Sequence, residues 1–152
     1  MRRALFLALA FTLAGTVNAE PGDDDESRLD PDYAAGARAI EAKDWKSAIR
    51  HLSSASLRDT RNADIQNQLA YAYRNSGELD LAFKHYNRAL ELNPRHRGAR
   101  EYLGEAYLLA NEVQKAQDQL AALREICLIP CEEYEDLEKA ITAYSKRAAR
   151  SR

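Results

Sequence analysis

The 152-residue chain reads as all-α: an α-solenoid of three helix-turn-helix units with a C-terminal capping helix. Small and large residues recur every 34 positions, so that Ala70 falls on Gly36 and Gly104, Ala82 on Ala48 and Ala116, and Tyr86 on Leu52 and Leu120. Within one period the apolar residues keep helical spacing. Leu69, Ala70 and Tyr73 share one face, and Leu79, Ala82, Phe83, Tyr86, Ala89 and Leu90 share a second. Gly77 separates the two stretches and Pro94 closes the second. A single hairpin cannot bury both of its faces, so neighbouring units must stack.

Residues 1–19 predict a secretory signal peptide: Arg2 and Arg3, an uncharged run from Ala4 to Val17, and a small-x-small site at Val17-Asn18-Ala19. That run is too short for a membrane-spanning helix, which takes about 20 residues, so no integral span is expected after cleavage. Export across the inner membrane to the periplasm is the expectation. Cleavage after Ala19 leaves 20 Lys and Arg against 24 Asp and Glu, a mildly acidic chain that offers no basic surface for nucleic acid. Residues 20–28 have no apolar side chain, include Asp23-Asp24-Asp25-Glu26, and predict a disordered acidic linker.

The units are read as residues 29–62, 63–96 and 97–130. Asp30-Pro31 predicts the first N-cap and first helical turn, with that helix running to about Lys43 and the next from Asp44 to Arg58. Polar Asp59-Thr60-Arg61-Asn62 forms the link to the second unit. The third unit has Asn111 where the second has Gly77, and asparagine tolerates the same left-handed turn. Residues 131–149 predict a capping helix with Tyr134, Leu137, Ile141 and Tyr144 on its inner side.

This arrangement of Ala70, Gly77, Ala82, Tyr86, Ala89 and Pro94 resembles the tetratricopeptide repeat family closely in the second unit, although Gln66 stands where the family usually has tryptophan. The resemblance implies a protein-binding scaffold whose first helices line a concave groove. Carried onto this sequence, that groove is Tyr33, Asn67, Tyr71, Arg74, Asn75, Glu101, Glu105 and Leu108, with Ala37, Ile40, Glu41 and Leu109 as further counterparts. It implies another protein as partner, met as an extended peptide or a helix. In this reading Arg74 offers a cation to an acidic group of the ligand, and Glu101 and Glu105 accept a basic one. The lysine and asparagine clamp that some relatives use for a terminal carboxylate is not apparent.

No catalytic constellation stands out, and the chain is read as a non-enzyme without metal or cofactor. His51 and His85 hold equivalent places in adjacent units, which favours a shared structural or surface role over a metal site. Cys127 and Cys131 are the only cysteines. Their spacing around Pro130, in an exported protein, favours a disulfide at the turn before the cap. Two buried thiols, a redox pair or a metal-ligand pair are the alternatives. Two rivals to a scaffold remain: a homo-oligomer assembled through the cap or the edge unit, and a thiol-based redox protein.

Overall fold

The computed structural model describes residues 30–150. The signal-peptide and linker readings of residues 1–28 lie outside the described residues. Seven helices follow one another: α1 (Pro31–Glu41), α2 (Trp45–Arg58), α3 (Ala63–Asn75), α4 (Leu79–Leu92), α5 (Arg97–Leu109), α6 (Val113–Ile126) and α7 (Glu132–Arg150). The ends of α1, α3 and α5 fall 34 residues apart, as do both ends of α2, α4 and α6. Each of α1, α3 and α5 pairs with the even helix that follows it, the three pairs stack in sequence order, and α7 packs on α5 and α6.

Caps explain where the helices begin. The Asp30 carboxylate accepts from the backbone N–H groups of Asp32 and Tyr33 at 2.8 and 3.1 Å, and Pro31 occupies the first turn, where its missing N–H costs nothing. Asp44 caps α2 through Ser47 N–H, and Asn62 caps α3 through Ile65 N–H. At α5 the cap is His96, whose Nδ1 accepts from Ala99 N–H at 3.2 Å while Nε2 meets Asp64 at 2.9 Å.

The turn inside each hairpin is built the same way three times. Glu78 N–H donates to the Tyr73 carbonyl, Glu112 N–H to that of Tyr107, and Asp44 N–H to that of Ala39, each five residues back. The residue just before each donor has positive φ: Gly77 at 87°, Asn111 at 61° and Lys43 at 56°. This is the left-handed closure that caps a helix C-terminus. Here the expectation needs correction: Lys43 does not end the first helix, which stops at Glu41, but is itself the left-handed turn residue.

Packing follows the 34-residue columns. Ala48, Ala82 and Ala116 are fully buried, and so are Ala55, Ala89 and Leu123. Gly36 and Gly104 are also buried, for different reasons. A β-carbon on Gly36 would come within 2.6 Å of Leu52 in its own hairpin, whereas one on Gly104 would come within 2.6 Å of Leu137 on α7. The cap therefore depends on a glycine for its seat. Leu137 and Ile141 pack with Leu108, Ala116 and Leu123, with Tyr134 and Tyr144 at the edge of the same cluster.

Candidate protein-binding groove

The first helices α1, α3 and α5 present a recess of about 360 Å3. Ala37, Ile40 and Glu41 of α1 line one side, Asn67, Gln68 and Tyr71 of α3 the floor and centre, and Tyr102 of α5 the other side. Tyr71 is held from both flanks. Its ring lies 6.1 Å from Trp45, edge-on, and 5.0 Å from Tyr102. The Arg74 guanidinium sits 5.0 Å from the Tyr71 ring centre and 5.3 Å from that of Tyr102, a cation-π arrangement that fixes both rings.

Two amides are placed differently from the rest of the lining. Asn67 is 8% exposed, and its Oδ1 has no hydrogen-bond partner. Gln68 donates its Nε2 to the Tyr33 hydroxyl at 2.8 Å, which leaves Oε1 buried and without a partner. An unsatisfied buried acceptor costs about 1–3 kcal/mol, so a donor brought to either oxygen would be stabilising.

Several residues assigned to the groove from sequence have other employment. Arg74 is nearly buried, pairs with Glu105, and donates to the Tyr102 carbonyl at 3.3 Å. Its charge is taken up inside the protein, and so is that of Glu105. Leu108 is 8% exposed and lies under the capping helix, because α7 covers the third unit as a fourth would. Asn75 is exposed at the end of α3 and donates to the Tyr71 carbonyl at 2.8 Å. Tyr33 is half-buried against the cluster of Ala48, Leu52, Leu69 and Ala72 and is tied to the recess by its hydrogen bond from Gln68. Asn67 and Tyr71 remain as lining.

Gln68 and Tyr102 escaped the sequence reading. They are one another's counterparts, 34 residues apart and immediately after Asn67 and Glu101, so a second column beside the first was the available signal.

Glu101 is the unusual acid of this face. Burial, followed by the neighbouring Glu105, Asp136 and Glu133, pushes its carboxyl up to about 7, against a smaller opposing pull from Arg74. Among the described residues no cluster of three or more His, Cys, Asp or Glu is placed to hold a metal. His51 and His85 are engaged by Asp32 and Gln66, at 2.7 and 2.8 Å. The sulfurs of Cys127 and Cys131 stand 2.09 Å apart, bridging the turn between α6 and α7 and leaving Leu128 and Ile129 exposed.

Residues 63–96 match the tetratricopeptide repeat family. The second unit is similar to a tetratricopeptide repeat along its whole length. Solved structures extend the likeness to the other units. The first tetratricopeptide domain of Spaghetti, bound to an HSP90 peptide, superposes with a TM-score of 0.68 at 19% identity, covering 81% of this chain and 96% of that one. PcrH in complex with the chaperone-binding region of PopD gives 0.68 at 16%, covering 84% and 96%. The Yersinia enterocolitica type III secretion chaperone SycD, in complex with a peptide of the translocator YopD, gives 0.67 at 14%, covering 83% and 95%. The chain as a whole therefore has the tetratricopeptide-repeat fold. No curated relative matches its sequence. Among the described residues no helix is long and apolar enough to cross a membrane.

Proposed function

We infer that this tetratricopeptide-repeat chain is a non-catalytic interaction module of the cell envelope that holds a peptide or helix of a partner protein in the recess between α1, α3 and α5. The observation that carries the reading is the pair of partnerless buried acceptors, Asn67 Oδ1 and Gln68 Oε1, in a recess walled by Tyr71 and Tyr102. Rigid aromatic walls supply contact area at little entropic cost, and fixed acceptors orient a main chain. The similar folds of Spaghetti, PcrH and SycD are seen with protein segments bound, which supports a peptide as ligand. The envelope location rests on the signal-like pattern of residues 1–19.

A photo-crosslinking residue at Ala37, inside the recess, is expected to capture the partner in intact cells, and one at Arg88, on exposed α4, is not. Capture from position 88 alone would place the contact on the outer helices and sink the groove reading. Protein recovered from the envelope should begin at Glu20. Recovery of a species that retains Met1 would remove the export assignment.

A further inference from the structure

Asn67 and Glu101 occupy the same place in successive units, on the neighbouring helices α3 and α5. The acids around Glu101 each have a base. Glu105 pairs with Arg74, Glu133 with Arg97 at 3.4 Å, and Asp136 with Lys139 at 2.8 Å. Glu101 has no such partner among the described residues, although it is half-buried. Glu41, which lines the recess, has none there either, and that lining, which stops at Tyr102 and does not include Glu101, contains no basic side chain.

The second observation is independent of charge. Asn67, more than nine-tenths buried, lines the recess with an acceptor that nothing satisfies, and Gln68 Oε1 beside it is in the same condition. Unpaired carboxylates ask for cations, and unpaired amide oxygens ask for N–H donors. The rings of Tyr71 and Tyr102 are already faced by the Arg74 guanidinium and add apolar contact area. The two kinds of unpaired group select the same kind of ligand.

We propose that the groove takes an extended, lysine- or arginine-bearing segment of a partner protein, with basic side chains paired to Glu101 and Glu41 and main-chain N–H groups donated to Asn67 and Gln68. This deepens the groove reading above and rests on it. An acidic segment is rejected, because the recess lining has no base and Arg74, one turn beyond Tyr71, is already bound to Glu105 and to the Tyr102 carbonyl.

The pairing carries a proton. The charged groups facing Glu101 are Glu105 on its own helix, Glu133 and Asp136 on α7, and Arg74 on α3, with the Tyr102 hydroxyl also coupled to it. Within the protein alone, Glu101 keeps its proton up to about pH 7. A bound cation favours the carboxylate and releases that proton, so affinity for the basic segment rises as pH climbs through about 7.

The test uses three fluorescent, end-capped peptides of equal length, built on one serine and leucine frame and carrying lysine, glutamine or glutamate at matched positions. The full mature chain is expected to bind the lysine peptide about tenfold or more above the glutamate peptide. Glu101→Gln and Glu41→Gln should each weaken the lysine peptide several-fold and leave the glutamine peptide unchanged, with melting temperature followed in parallel. Asn67→Ala should weaken the lysine and glutamine peptides alike. Equal binding of all three peptides, preference for glutamate, or no binding of the lysine peptide overturns the proposal. Uniform binding that Tyr71→Ala abolishes would overturn it while leaving the groove as the site, whereas binding indifferent to Tyr71→Ala would overturn the groove reading as well.

Discussion

Asp32 Oδ1 and His51 Nδ1 meet at 2.7 Å, joining the first turn of α1 to the middle of α2. The contact recurs in each hairpin with different chemistry: Gln66 with His85 at 2.8 Å, then Arg100 with Gln119 at 3.1 Å, always 19 residues apart. His51 Nε2 is taken by Arg50, which leaves Nδ1–H to donate to Asp32. Burial, with nearby Lys84 adding to it, holds the His85 imidazole below its ordinary pKa, so the neutral ring donates to Gln66 while stacking on Tyr73.

In the first hairpin the contact extends to Arg58, which donates to both Asp30 and Asp32. The Arg58 guanidinium holds the Asp30 carboxyl at about 2, below its ordinary 3.8. A depressed folded-state pKa means stability that is present above pH 3.8 and lost as pH falls toward 2. Arg58→Gln is expected to move the acid-unfolding midpoint upward, read by circular dichroism. An unchanged midpoint would show that the pair contributes nothing to acid resistance.

Lys43 adopts φ of 56° where the second unit uses glycine. A side chain in that region costs about 1 kcal/mol, so Lys43→Gly should raise stability by about that amount in urea titrations, offset in part by the freer unfolded chain. A loss of stability would mean that the lysine side chain anchors the turn.

At Gly104 the β-carbon position is already within 2.6 Å of Leu137. Gly104→Leu should cost about 1–3 kcal/mol by forcing α7 away from α5, with the fall in melting temperature accompanied by exposure of the cap to proteolysis. Unaltered melting and an intact cap would show that Leu137 yields freely.

Glu101→Gln removes a carboxyl that burial makes costly to ionise. The sign follows from the raised value: wild-type stability is unpenalised below pH 4.5, declines between 4.5 and about 7, and is lowest above that. The variant should therefore gain about 1–2 kcal/mol at pH 8, allowing for the solvent that still reaches the group, and nothing at pH 4. Equal stability at both pH values would show that the carboxyl is solvated after all.

Cys127 and Cys131 should resist alkylation until a reductant is added. Reduction should then lower stability by no more than about 2 kcal/mol, since the closed loop is short in the chain-entropy account. Ready labelling of both thiols without reductant would remove the bridge.

The hairpins were legible because backbone approach admits only small residues, and Gly36, Ala70 and Gly104 or Ala48, Ala82 and Ala116 announce it by recurring. Polar partners were not. Asp32 with His51 and Gln66 with His85 have only the histidine in common, and Arg100 with Gln119 shares the geometry without it, so the pattern is not carried through all three units. Arg74 looked available to a ligand because its own helix leaves it on the open face, and its partner Glu105 belongs to the next unit. Leu108 looked available because the cap, although anticipated, was not connected to the residues it would cover. Lys43 gave no turn signal, since lysine seldom takes positive φ and only its place 34 residues before Gly77 marks it.

The bridge between Cys127 and Cys131 has a topological consequence. The cap's inner face, Leu137 and Ile141, would fit the third unit of another molecule as well as its own, because identical surfaces are on offer. Straightening of residues 127–131 is one way for α7 to reach another molecule, and the bridge between the two ends of that segment opposes it. Exchange of the last helix between molecules is therefore expected to be favoured by reduction, and the chain's mass in solution with and without reductant would show it.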